Sequence, residues 1–297
     1  MKIDGAIRRL ERLSSKDEEK YLDFLIEAHK DQFNSNIFQN RETVRRLWQW
    51  EYLDNPSARS GNISIFLYWH EDNIAGQFCL MPAQIVINGK LYRAGWCQDF
   101  IVLPQFRNYG IGSKLVKKTL LESENDVDLL LVAGTNQRSY AIFKNLGFSD
   151  IGAISRSVKP IDFTEVSARL TDNSFMNLSC AYGMKLFAKM RDRRNDKPAE
   201  EIDIHEIPDF NKEFDVFWRS LSGDFPCIVK RDKDFLNWRF IKMPLLKYKI
   251  FIARVNGVIK GYMVLRETRI IRGRFNGLRV LAISLSMSSL FKADSFL

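Results

Sequence analysis

Apolar and polar positions alternate between two periods over the first 150 residues. Strand-length apolar runs at Ile63 to Trp69, Ile74 to Ile87, Tyr92 to Val102 and Asp128 to Ala133 predict β-strands, with a further short strand at Ala6 to Glu11. Segments of three- and four-residue spacing predict helices over Lys16 to Gln32, Arg41 to Leu53 and Asn136 to Leu146. A fourth helix follows residue 110, where Ile111, Leu115 and Thr119 form one row and Val116 and Leu120 the next, a stripe suited to facing a sheet. Asn88-Gly89 is a two-residue hairpin turn, because both positions tolerate positive φ. The expected fold class is α/β (α+β), a mixed sheet that is antiparallel first and parallel later.

The stretch Arg107-Asn108-Tyr109-Gly110-Ile111-Gly112 lies between the apolar run Phe100 to Leu103 and the amphipathic segment Ser113 to Leu121. It reads as strand, tight turn and helix start. The first turn of a helix carries N–H groups without intrahelical partners and the positive end of the helix dipole, which together bind phosphate oxygens. Gly110 and Gly112 lack a Cβ and so admit a polyphosphate close to the main chain, while Arg107 adds a charge-assisted contact.

Arg-x-x-Gly-x-Gly after a strand resembles the pyrophosphate loop of the GNAT superfamily of acyl-CoA-dependent N-acyltransferases. Two further stretches carry the resemblance: Asp99 to Pro104, similar to the fourth strand of that fold with its proline, and Asn145-Leu146-Gly147-Phe148, similar to its Leu-Gly-Phe landmark. It implies acetyl-CoA or another acyl-CoA as co-substrate, held by Arg107, Asn108, Tyr109, Gly110, Ile111, Gly112 and Ser113 around the diphosphate. By the same resemblance the main chain of Phe100, Ile101 and Val102 holds the pantetheine arm, with Asn136 and Phe143 also at the cofactor. Asn136 is equally suited to capping its helix.

Acyl transfer to an amine needs a base, since an alkyl ammonium is mostly protonated at neutral pH. Asp99 leads the candidates, followed by Glu51 and Glu71, each set against a solvated surface carboxylate. The family's usual tyrosine acid is replaced by Phe143, which cannot donate a proton. Tyr140, one turn earlier, is the substitute catalytic candidate, and water is the alternative.

Composition narrows the classes. The chain has 297 residues and a formal net charge of +9, compatible with a polyanionic substrate; no nucleic-acid-binding motif accompanies it. Four cysteines without Cys-x-x-Cys spacing suggest reduced thiols in a cytoplasm, and three scattered histidines argue against a metal site. No apolar run reaches the roughly 18 residues of a membrane span, and the start of the chain does not read as a cleavable signal peptide.

Trp50-Glu51-Tyr52-Leu53-Asp54-Asn55-Pro56 recurs in form as Trp238-Arg239-Phe240-Ile241-Lys242-Met243-Pro244, 188 residues later. Each copy is followed by a strand, a reversal and a second strand; the reversal is Asn256-Gly257 in the second copy and a longer loop, Glu71-Asp72-Asn73, in the first. The repeat suggests a tandem arrangement: a catalytic domain at 1–160, a connecting helix (Ser174 to Arg194) and linker (195–200) within 161–200, and a partial GNAT-like domain without a CoA loop at 201–297. Ala282 to Leu290 reads either as a closing strand or as a divergent end. The Trp-Arg-Phe element resembles GNAT-like proteins of bacterial polysaccharide synthesis. That implies a small-molecule amine acceptor, foremost an amino sugar or nucleotide-linked amino sugar, ahead of a protein or peptide amine or a non-catalytic acyl-CoA binder. A homodimer is compatible with the sequence.

Overall fold

The structure, a computed structural model, describes residues 4–10, 15–30, 40–58, 63–152, 158–160, 163–168, 176, 178–186, 201–269 and 279–287. The chain divides into two compact units: Met1–Gly152 with Phe225–Leu246, and Ala153–Asp224 with Lys247–Leu297. This differs from the linear division at residues 160 and 200. The second Trp-Arg-Phe element belongs to the first unit, whereas the strands that follow it belong to the second.

In the first unit β1 (Ala6–Arg9), β2 (Ile65–His70), β3 (Asn73–Ile87), β4 (Lys90–Val102) and β5 (Leu129–Val132) lie side by side in chain order. The pairs are antiparallel except β4 with β5, which is parallel, so the sheet is mixed as expected. The far half of β3 also pairs with β8 (Cys227–Val229). Asn88 and Gly89 have φ of 48° and 77°, the turn their sequence calls for. The β2–β3 reversal is tighter than expected: His70 pairs with Asn73, leaving only Glu71 and Asp72 in the turn, with Glu71 at φ 54°.

Both faces of the sheet are covered, which is why β2 reads as a continuous apolar run rather than an alternating one. Ile65, Leu67 and Trp69 pack with Tyr21, Leu22 and Leu25 of α1 (Ser15–His29) and Val44 and Trp48 of α2 (Arg41–Trp48). Phe66 and Tyr68, pointing the other way, share a core with Ile111, Leu115 and Val116 of α3 (Ile111–Ser123) and Phe143 of α4 (Gln137–Asn145). The helix expected over Arg41 to Leu53 changes character at its end: Gln49–Leu53 is a π-helical turn. In the second copy α8 (Lys233–Leu236) likewise runs into a π-turn, Asn237–Ile241. π-turns are rare and favour functional sites.

The second unit holds an antiparallel sheet in the order β6 (Val158–Pro160), β11 (Arg279–Met287), β10 (Val258–Arg269), β9 (Lys249–Val255), β7 (Asp203–Ile207). Asn256-Gly257 forms the expected hairpin, with φ of 51° and 78°. Phe210, together with Phe214 and Phe217 of α7 (Glu213–Ser222), packs against Tyr262 on β10. Of the tail, the strand β11 is present through Met287, and 288–290 lie outside the described residues. In the connecting segment, α5 (Phe163–Ser167) and α6 (residues 178–186) are helical, while Lys189 to Arg194 and the linker 195–200 lie outside the described residues.

Candidate active site

The turn after β4 is built by backbone conformation. Pro104–Phe106 makes one turn of 3-10 helix, Asn108 sits at φ 68°, and Gly110, at φ 74°, is the residue from which α3 starts. Residues 107–110, which lead into the helix start, are exposed, whereas Ile111 is buried against the sheet. Arg107 Nε donates to the Val102 carbonyl at 2.9 Å; its Nη groups have no partner among the described residues. A Cβ on Gly110 would enter open space, so glycine is needed there for its left-handed backbone. Gly112 also has a packing role: a Cβ there would lie 2.9 Å from Cζ of Phe100, so this glycine lets α3 settle on the β4 ring.

β5 pairs with β4 only from Ala94 to Cys97, whereas β4 runs on to Val102. The seam between the two strands is therefore open beside residues 98–102. At the same place β4 carries a bulge: Asp99 and Phe100 together oppose Phe78, and Asp99 takes φ 49°. The extra residue turns Asp99 to the α1–α2 side of the sheet, where it lines a cavity of about 340 Å³ with His29, Trp48, Trp50, Glu51, Gln98, Arg239 and apolar residues including Leu25, Val44 and Met81.

A hydrogen-bond chain joins the two carboxyl groups of this cavity. Gln98 Nε2 donates to Glu51 and, at 3.2 Å, to the Tyr52 hydroxyl, which in turn donates to Asp99 Oδ2 at 2.9 Å. Burial, then the charge of Asp99, pushes the Glu51 carboxyl up to about 8, with Gln98 and Arg239 pulling the other way. Burial likewise raises Asp99, against the hydrogen bond from Tyr52. Burial lowers the pKa of His29, against the charge of Asp99, and burial chiefly raises those of Tyr21 and Cys79.

Residues 9–150 match the family model described as an acetyltransferase (GNAT) domain. The chain carries a GNAT fold. Solved structures agree over nearly its whole length. It is 13% identical to a GCN5-related N-acetyltransferase from Anabaena variabilis (TM-score 0.58, covering 98% of this chain and 61% of that one). It is 13% identical to a conserved protein of unknown function from Enterococcus faecalis, a probable N-acyltransferase (TM-score 0.54, 93% and 59%). It is 12% identical to Eis1 from Mycobacterium abscessus (TM-score 0.54, 99% and 60%). The chain thus spans about three fifths of the length of these structures. No curated protein matches it.

Within the GNAT fold the expected loop residues Arg107 to Ser113 lie together at the start of α3, and Phe100, Ile101 and Val102 lie along the open seam. The other expected cofactor and acid residues have the following surroundings. Phe143 is 3% exposed, enclosed by Phe78, Phe100 and Phe148, and belongs to the core. It also anchors the end of α4: Phe148 N–H donates to the Phe143 carbonyl and Gly147 N–H to that of Lys144, both at 3.1 Å, with Gly147 at φ 89°. Asn136 caps α4, its Oδ1 accepting from Ser139 N–H at 3.0 Å. Tyr140 is 43% exposed, does not line the cavity, and gives its hydroxyl hydrogen to Asp150 at 2.9 Å. Glu71 is exposed in the β2–β3 turn, whereas Glu51 joins Asp99.

His29, Gln98 and Arg239 line the cavity without having been expected there. For Arg239 a signal existed, since it follows Trp238 as Glu51 follows Trp50. Among the described residues no group of His, Cys, Asp and Glu could hold a metal ion, and no helix is long and apolar enough to cross a membrane.

Proposed function

We propose that this protein transfers an acetyl or other short acyl group from acyl-CoA to a primary amine, in a ternary complex, with an amino sugar or nucleotide-linked amino sugar as the foremost acceptor. The observation that carries this reading is the linked Asp99–Glu51 pair in the cavity, with Asp99 held at the β4 bulge next to the stretch that β5 leaves unpaired. The residues present suit acyl-CoA: an exposed turn leading into a helix start, a left-handed Gly110, free Arg107 Nη donors and a β4 edge left unpaired by β5. When bound, acyl-CoA supplies the acyl group and a thiolate that departs.

The carboxyl pair receives the proton of the incoming ammonium, leaving a neutral nucleophilic nitrogen. Burial makes the pair a stronger base than a surface carboxylate, which suits this transfer. Tyr52 and Gln98 fix the two carboxyls, and the β4 bulge sets them beside the seam, so most of the rate gain comes from placement. With Tyr140 committed to Asp150, the thiolate is protonated by water. Trp48 and Trp50 in the cavity wall offer apolar faces to a sugar ring.

Incubation of the protein with acetyl-CoA and a panel of amino sugars and peptide amines, followed by mass spectrometry, tests this reading. An N-acetylated amino sugar is the expected product. An acetylated peptide in its place would shift the acceptor class, and saturable acetyl-CoA binding without any product would make the protein a binder.

A further inference from the structure

The second Trp-Arg-Phe element contributes a charge to the cavity that amine acylation does not need. Glu51 and Arg239 stand at equivalent places in the repeat, 188 residues apart, each one residue past a tryptophan and inside a π-turn. The two tryptophans bind each other reciprocally. Trp50 Nε1 donates to the Trp238 carbonyl at 2.9 Å and Trp238 Nε1 to the Trp50 carbonyl at 2.7 Å, with the rings stacked at 4.8 Å. This clamp brings both elements to the same cavity, one presenting a carboxyl and the other a guanidinium.

Arg239 is half-buried. Its guanidinium lies over the rings of Trp50 and Phe240, at 5.6 and 5.9 Å from their centroids, and has no hydrogen bond or ion pair among the described residues. Arg239 acts on Glu51 through space but makes no hydrogen bond to it or to Asp99, so its five N–H donors leave anion-binding capacity unused. The other titratable groups lining the cavity are Asp99, Glu51, His29, Tyr21 and Tyr52. The carboxyls attract an ammonium and Arg239 attracts an anion, so the cavity is complementary to a molecule carrying both.

We propose that Arg239 is the anion receptor of the acceptor pocket, and that the natural acceptor bears a carboxylate or phosphate on the same small molecule as its amine. The proposal rests on the acyltransferase reading and deepens it. It adds one requirement to an amino sugar, an acidic substituent within reach of the guanidinium, and it equally admits an amino acid.

Matched acceptor pairs test it. CoA release from acetyl-CoA is measured with glucosamine 6-phosphate against glucosamine, and with phenylalanine against phenethylamine, for the wild type, Arg239→Gln and Arg239→Lys. In at least one pair kcat/KM for the anionic member is expected to exceed that of its neutral partner about tenfold or more, in line with a charge-assisted hydrogen bond. Whichever pair shows the preference identifies phosphate or carboxylate as the group read. Arg239→Gln should reduce the ratio to within about threefold of unity and Arg239→Lys should keep part of it, the loss appearing mainly in KM for the anionic acceptor. Protection from thermal unfolding by CoA checks that the variants are folded. Equal turnover of both members, or a ratio unchanged in Arg239→Gln, contradicts the receptor and leaves the transferase standing. Absence of release in every pair despite CoA binding overturns the proposed acceptor class, whereas absence of CoA binding by the wild type overturns the transferase reading itself.

Discussion

The loop at residues 107–112 and the cavity around Asp99 lie at the same end of β4, yet they are built in opposite ways. The loop is local, exposed and made of main chain: a left-handed Gly110, a helix start and one arginine anchored to Val102. The cavity is non-local, largely buried and made of side chains drawn from α1, two π-turns and the β4 bulge. A main-chain cradle can bind any diphosphate and confers little selectivity. A desolvated set of charges discriminates sharply, because every group left unmatched costs about 1–3 kcal/mol. In the proposed reaction the loop is thus suited to acyl-CoA and the cavity to the acceptor.

This contrast breaks first at Asp99. Asp99→Asn keeps the hydrogen-bonding shape but removes the leading base, so kcat for CoA release is expected to fall about a hundredfold or more, with acyl-CoA affinity nearly unchanged. Gly112→Val should do the reverse. Its added bulk meets Phe100 at the contact where even a Cβ would lie 2.9 Å away, which is expected to cost about 1–3 kcal/mol of stability and to raise KM for acyl-CoA with little change in acceptor selectivity. Trp238→Phe removes the donor to the Trp50 carbonyl inside the clamp; a loss of about 1–2 kcal/mol in denaturant unfolding is expected, together with weakened acceptor discrimination.

A smaller effect separates charge from shape at Glu51. Its folded-state pKa is raised to about 8 from an ordinary value of 4.5. Keeping it protonated imposes no penalty below pH 4.5; stability is then lost as the pH rises toward 8, because the unfolded chain releases a proton that the folded chain retains. Glu51→Gln should therefore melt with the wild type near pH 4 and about 5 °C above it near pH 8. A gap independent of pH would mean that the carboxyl is not held protonated.

The same contrast governs what the sequence disclosed. The loop was legible because its parts are consecutive, and a glycine pattern between a strand and a helix has few structural meanings. The mixed sheet and its two asparagine-glycine hairpins were legible for the same reason. Even there, the packing of Gly112 against Phe100 is not visible in the glycine pattern. Of the cavity, Asp99 and Glu51 are legible as candidate bases, but their meeting with His29, Gln98 and Arg239 is not, because it depends on a bulge and on a clamp spanning 188 residues. Phe143, expected at the cofactor, packs with Phe78, Phe100 and Phe148 in the core of this unit, a contact set that residue type and helical spacing do not reveal.

The most direct measurement is the steady-state rate of thiol release from acetyl-CoA in the presence of an acceptor amine, compared between the wild type and Asp99→Asn at one pH. Amine-dependent release by the wild type, reduced at least a hundredfold in the variant while CoA still protects both from unfolding, is the expected result. Release that continues undiminished in the variant would contradict a role for the buried carboxyl pair.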